Sequence, residues 1–368
     1  QQARAGAERL FDLFDTEPAV KERPQAAVVP ATARGEVTLD HVSFGFSDDG
    51  PLVIDDLSLT IRPGERLGIV GASGSGKSAL AFLLARFYDP ATGTFSHLVY
   101  DHDGGHAAII DPVMDFEPAS ARIAYDSARR LLDAAHAHSL AVEWILETHA
   151  HADHMSAAAW LREQTGAKVA IGRGITGVQA RFKEIFNLEP DFPVDGRQFD
   201  RLFADGDEFR IGTLDARVIA TPGHTEDSIT YVVGDAAFIG DTLFAPDTGT
   251  ARADFPGGDA ATLYRSLRRL LDLPADTRLF LCHDYPPAGR NATPTITVAE
   301  ERASNVHLAG DVDEDTYVRL RTNRDASLPV PKLLLPALQV NIRGGALPPA
   351  EANGVRYLRI PLDRLGAA

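Results

Sequence analysis

The chain has 368 residues, room for two domains, and an apolar fraction of 44% that can fill ordinary cores. A net charge of −16 argues against a protein that tracks nucleic-acid phosphates or docks on an anionic membrane surface. Cys282 is the one cysteine, so no intrachain disulfide can form, and no apolar run approaches the ~20 residues of a bilayer span. With no charged-then-apolar leader either, the expectation is a cytoplasmic protein without a membrane span.

Residues 1–35 form the first stretch. Ala3 to Phe14 has the pattern of a short amphipathic helix, and the Pro- and Ala-rich run after it reads as an extended linker. The chain opens on Gln1 beside that helix, which suggests a start inside a longer reading frame. Residues 36–94 alternate like strands over EVTLDHVSF and DDLSLTI, then give a short apolar run, ERLGIV. Gly71, Ser73, Gly74, Ser75, Gly76, Lys77 and Ser78 carry a Walker A pattern between that run and the helical SALAFLLARFY. Glycines there let successive N–H groups turn inward on phosphate oxygens, and the helix N-terminus adds partial positive charge. Lys77 would reach the β- and γ-phosphates, and Ser78 would ligate magnesium.

This front segment resembles the start of an ATP-binding-cassette exporter's nucleotide-binding domain, a P-loop NTPase. AERLFDLFDTEP is similar to the connector after the last membrane helix, and Phe46 falls where that family stacks an aromatic on adenine. The resemblance stops at RFYDPATG. No glutamine loop, signature motif, strand ending in Asp-Glu or switch histidine follows, so phosphoryl transfer would lack a second magnesium ligand and a water-positioning group. Residues 36–94 are therefore expected either to bind ATP and Mg²⁺ without hydrolysis or to be a remnant that binds nothing. Association with an exporter is the partner this segment implies.

From residue 95 the pattern restarts and runs to residue 368 as a catalytic domain. SHLVYD and HAAIIDP read as a hairpin, SARRLLDAAHAH as a helix and AVEWILET as a buried strand. THAHADH then supplies His149, His151, Asp153 and His154 on a loop at that strand's end, ahead of a helix over MSAAAWLREQ. His224 follows the strand DARVIA within TPGHT, Asp241 ends AAFIGD, and His283 follows RLFLC. Four strand ends each carrying a candidate ligand are how a metal site is assembled on a sheet's rim. Imidazole and carboxylate suit iron or zinc, and the lack of cysteine in the set argues against structural zinc. A histidine outside such a set reads as satisfied or exposed, as do His97, His102, His106, His136 and His138. The Pro- and Gly-rich tail reads as a packed extension.

The set resembles the metallo-β-lactamase superfamily, which implies an α/β fold, a four-layer αββα sandwich with metal at one edge of the paired sheets. Carried onto this sequence, His149, His151 and His224 serve one metal position, Asp153, His154 and His283 the other, and Asp241 lies between them. AIIDPVMDFEP, GDTLFAPDTGTARADFPGGDAATLYRSL, FLCHDYPPAGR and QVNIRGGALPP are similar to the persulfide dioxygenase group, and to its bacterial β-lactamase-hydrolase-like proteins in particular. That resemblance implies one ferrous iron on His149, His224 and Asp241. His151, Asp153, His154 and His283 would then be catalytic groups that orient ligands and carry protons. The implied reaction oxidises glutathione persulfide with O₂ to sulfite and glutathione. Arg252, Tyr264 and Arg290 are the expected contacts to glutathione's carboxylates, with Arg343 as a further one.

Ala253 stands where the resemblance implies a cysteine (TARCDFPGG), so any control exerted through that cysteine is absent, while Cys282 reads as a packed thiol. All seven ligand positions also suit a binuclear zinc thioester hydrolase resembling glyoxalase II, which is the alternative function. A homodimer is left open as the assembly. Titrating the chain and its Lys77→Ala variant with ATP tests the front segment. Binding by the first alone supports a nucleotide site; equal binding, or none by either, removes it.

Overall fold

A computed structural model describes residues 37–44, 54–61 and 94–364, apart from 119, 287–289, 291 and 311. The phosphate loop at 71–78, Phe46 and the connector helix lie outside the described residues. The chain divides into two units. In the first, β1 (Val37–Phe44) and β2 (Ile54–Ile61) pair antiparallel, with Val37 opposite Ile61 and Phe44 opposite Ile54. These are the two alternating runs read from the sequence.

The second unit begins with β3 (His97–Tyr100), β4 (His106–Ile110), β5 (Val113–Glu117), β6 (Arg122–Ala124) and α1 (Asp126–Ala137). Next come β7 (Ala141–Leu146), β8 (Met155–Ser156), α2 (Ala158–Thr165), β9 (Lys168–Gly172) and α3 (Ile175–Ile185). A run of strands follows: β10 (Arg201–Phe203), β11 (Glu208–Ile211), β12 (Leu214–Ala220), β13 (Ile229–Val233) and β14 (Ala236–Phe238). The chain continues through α4 (Ala260–Leu271), β15 (Arg278–Phe280), β16 (Thr295–Thr297) and α5 (Val298–Ser304). It closes with α6 (Glu314–Asp325) and α7 (Leu334–Asn341).

One sheet has the order β10-β9-β7-β4-β3, parallel except for the β3–β4 hairpin. The other has the order β11-β12-β13-β14-β15-β16, antiparallel except where β14 meets β15. Period-2 alternation assigns their side chains to layers. Ala108, Ile110, Leu146 and Ala170 share a core with Val218, Ile229, Tyr231, Val233 and Phe238, which is the layer between the sheets. The intervening residues Ile109, Ile145, Val169 and Ile171 turn the other way, onto Leu131 of α1, Leu161 of α2, Phe182 of α3 and Leu338 of α7. On the second sheet Ile219, Val232, Ala237 and Leu279 turn onto Leu263, Leu267 and Leu270 of α4. The result is the expected αββα sandwich.

Two details differ from the sequence reading. The helix expected from Met155 starts at Ala158, because Met155 and Ser156 pair with Val113 and Met114 of β5. The Ser156 hydroxyl then accepts from the Ala158 N–H at 2.9 Å, supplying a cap where Ala157 cannot. The tail is indeed packed, but its apolar run is a helix, α7, set against β8.

The α5 region props up the loop on the far side of the second sheet. Its Thr297–Glu300 capping box fixes the helix start. Glu301, fully buried, accepts from Asn305 Nδ2 at 2.7 Å, and its other oxygen has no partner. Burial pushes the Glu301 carboxyl up to about 8. Between about pH 4.5 and 8 the unfolded chain has therefore given up a proton that the folded chain keeps, so stability falls as pH rises through that window. Glu301→Gln, which removes the ionisation, should raise the melting temperature at pH 8 relative to wild type and lose that advantage near pH 4.5. An equal shift at both pH values would contradict a neutral buried Glu301.

Candidate metal centre

Residues 147–154, between β7 and β8, are irregular backbone, and they are buried apart from Asp153 at the surface of the cleft. Their main-chain groups need partners other than a ladder or helix. Three buried side chains from distant parts of the chain provide them. Asp111, just after β4, accepts from Thr148 N at 2.7 Å and Thr148 Oγ1 at 2.9 Å. Asp227 accepts from Ala150 N at 2.8 Å. Asn341, the last residue of α7, donates to the carbonyls of His151 and His154 and accepts from Ser156 N, each at 2.8 Å. A fourth buried group, Glu147, accepts from the Ser156 hydroxyl.

His224, Asp241 and His283 arrive from β12, β14 and β15, so all seven predicted groups meet at one rim. Gly223 is required beside His224: its φ is +132°, and a Cβ there would lie 2.3 Å from the Leu263 backbone of α4.

The hydrogen bonds fix which histidine nitrogens carry lone pairs. Thr148 Oγ1 spends its proton on Asp111, so at 3.1 Å it accepts from His149 Nδ1. His224 Nδ1 donates to the Arg252 carbonyl at 2.8 Å. In both rings Nε2 is left unprotonated, and both Nε2 atoms lie 3.9 Å from Asp241 Oδ2. Two donors ~2.1 Å from one ion span at most ~4.2 Å, so Asp241 can share an ion with either histidine. His149 Nε2 and Asp241 Oδ1 are buried without a hydrogen-bond partner, as atoms awaiting a cation are. Burial, with His151 and His224 beside it, holds the His149 ring well below its usual pKa and so neutral. Burial pushes the Asp241 carboxyl up, a cost that a bound cation would offset. The donor set fits a metal.

Of the other four groups, His151 faces Asp111 and the remaining three face one another. His151 Nε2 lies 3.0 Å from Asp111 Oδ1, and a ligand atom of His151 is within 4.8 Å of ligand atoms of His149 and Asp241. Asp153 Oδ2 lies 3.0 Å from His283 Nε2 and 3.1 Å from His154 Nδ1. Burial works to raise the Asp153 carboxyl, but His283 and His154 outweigh it and hold it well below the usual range. Cys282 is buried and burial pushes its thiol well up, consistent with a packed thiol.

A cleft of about 300 Å³ opens from Asp241 and His224, walled by Phe244, Phe255 and Tyr285 and by Arg252, Arg321 and Arg324. The expected substrate contacts need correction here. Arg252 lines the cleft, but its guanidinium is held by Asp254 and the Pro329 carbonyl, and its main chain serves His224. Tyr264 stands outside, its hydroxyl donating to the Val312 carbonyl and its ring against Tyr317. Arg290 is clamped between Asp247 and Asp284, and Arg343 pairs with Glu189 over Phe192.

Sequence reasoning missed Asp111, Glu147, Asp227 and Asn341. Asp111 left a trace, as the Asp that ends AAIID at a strand end; Asn341 left none outside its motif string.

Residues 89–283 match the family described as the metallo-β-lactamase superfamily. The chain belongs to that superfamily. It is 55% identical over 289 residues to a β-lactamase hydrolase-like protein of Agrobacterium fabrum, covering 78% of this chain and 67% of that one. Of two Xylella fastidiosa proteins of the same description it covers 65%, so it spans about two thirds of these relatives' length. It is 47% identical to glyoxylase B2 of Dictyostelium discoideum (75% and 95% covered) and 31% identical to the human mitochondrial persulfide dioxygenase ETHE1 (74% and 93% covered). The crystal structure of ETHE1 from Myxococcus xanthus superposes with a TM-score of 0.56 at 31% identity, over 70% of this chain and 97% of that one. Among the described residues no helix is long and apolar enough to cross a membrane.

Removing the hydroxyl that sets the His149 tautomer should weaken the superfamily's metal site without touching a ligand. Thr148→Val is expected to lower metal affinity about 10- to 100-fold in a competitive chelator titration. Unchanged affinity would show that Thr148 does not orient His149.

Proposed function

We propose that the chain is a persulfide dioxygenase, with His149, His224 and Asp241 holding one ferrous iron. The convergence of two Nε2 lone pairs on Asp241 Oδ2, at 3.9 Å each, carries this reading. Such a two-histidine, one-carboxylate site supplies oxygen activation when iron is bound. The reaction takes glutathione persulfide, O₂ and water to glutathione, sulfite and two protons. The 31% identity with human persulfide dioxygenase supports it.

The chain's own residues do the rest. Phe244 and Phe255 exclude water along the cleft wall, and their rings sit against His283 and His224 respectively. Asp153, partly exposed to the cleft and held between His154 and His283, is placed to receive and pass protons released as sulfite forms. His151, against Asp111, supports the ligand loop from below.

One observation favours a second reading. His154 Nε2 is buried without a partner, so a second cation could draw on His154, Asp153 and His283. That would make a binuclear zinc thioester hydrolase, in keeping with the 47% identity to glyoxylase B2.

Metal analysis of anaerobically purified protein, with oxygen uptake recorded on adding glutathione persulfide, separates the two. About one iron per chain with persulfide-dependent uptake is expected; two zincs without uptake would overturn the dioxygenase. His224→Ala and Asp241→Ala should lose both metal and turnover.

A further inference from the structure

Three arginines line the cleft, and two of them are neutralised. Arg252 is paired with Asp254, and Arg321 is paired with Asp325 and donates to the Thr250 carbonyl. Arg324, on the last turn of α6, has no carboxylate partner among the described residues. Its one side-chain contact is a poor one. The Thr250 N–H donates to His307 Nδ1 at 2.9 Å, so in the neutral ring the proton sits on Nε2. Nε2 is the atom that faces Arg324 Nη1 at 3.2 Å, and a guanidinium can only donate. Two donors therefore meet head-on, beside a cleft that the metal cluster also lines.

A buried histidine facing an arginine without an acceptor between them is an arrangement that an anionic oxygen would relieve. The ring cannot turn to accept from Arg324 without giving up the Thr250 bonds, one from the main chain at 2.9 Å and one with the hydroxyl at 3.2 Å. Gly249 also locks it, since a Cβ at that position would lie 2.2 Å from His307 Nδ1. A cation in the last turn also favours the helix C-terminus, but any exposed position there would serve that end.

We propose that Arg324 is the residue that takes a carboxylate of the substrate and so sets the preference of the cleft for an acidic thiol carrier. This rests on the reading of the cleft as a glutathione-derivative site, and holds for a persulfide or a thioester alike. The charge pattern agrees with it. Asp153 and Asp241 line the same cleft as the uncompensated guanidinium, and a glutathione derivative, whose sulfur sits on its central residue, can turn that sulfur to the metal cluster and a terminal carboxylate to Arg324.

The test is binding of S-methylglutathione, and of its diethyl ester, to the metal-loaded full chain by calorimetry. Wild type should bind the diacid at least tenfold more tightly than the diester. Arg324→Ala should lose that difference, and Arg324→Lys should recover part of it. Arg319→Ala, a control on the same helix, should leave both affinities unchanged, and melting curves check that each variant folds. Equal affinity of wild type for diacid and diester, no binding of either, or an undiminished preference in Arg324→Ala would each overturn the proposal. No turnover is involved, so a protein that proves to be a zinc hydrolase can still pass this test. A dioxygenase can equally fail it.

Discussion

The backbone of residues 147–154 is the constraint on which the rest of the centre depends. Four potential ligands on one short run require a loop that is neither strand nor helix, and that loop is buried. Each buried amide or carbonyl left unmatched would cost about 1–3 kcal/mol. Asp111, Asp227 and Asn341 match them, from the ends of β4, the turn before β13 and the end of α7. The ligands are thus aimed by residues over a hundred positions apart in some cases, and the loop cannot reach this geometry until both sheets and α7 are in place.

Those same residues make the centre electrostatically expensive without a cation. Asp111, Glu147, Asp227 and Asp241 are all buried, and burial raises each carboxyl. The histidine rings are crowded, with His149 and His151 centroids 4.0 Å apart and His151 and His154 4.2 Å apart. They cannot all be charged at once. A divalent ion answers both problems, because it needs neutral imidazoles and favours ionised carboxylates. The sandwich supplies stability from its three apolar layers and concentrates this electrostatic strain at one rim.

The sandwich and the ligands were legible in the sequence for different reasons. Apolar runs in HAAIIDP, AVEWILE and DARVIA mark strands, and the ligands directly follow strand ends, so local order carries them. What escaped was long-range. Asp111, Asp227 and Asn341 act on backbone atoms up to 190 positions away, and no spacing rule links them. The substrate arginines escaped for a related reason. A cation read from sequence carries no sign of its neutralising partner, and Arg290 lies between two aspartates that the fold alone brings together.

Neutralised arginines are also what makes an unneutralised one informative. In a protein of net charge −16, an anionic substrate meets a repelling field on approach, so a free guanidinium inside the cleft has more effect than its single charge suggests. Pairing Arg252 with Asp254 and Arg321 with Asp325 rigidifies the wall without adding attraction, since each pair is nearly neutral from a distance. Arg252 then gives up its charge but keeps its carbonyl on His224, linking the substrate wall to the metal ligand through one residue. Arg324 and His307 stand on that same wall through Thr250, two residues before Arg252. On the proposed reading, recognition of a substrate carboxylate and orientation of His224 therefore share one stretch of chain, residues 249–252.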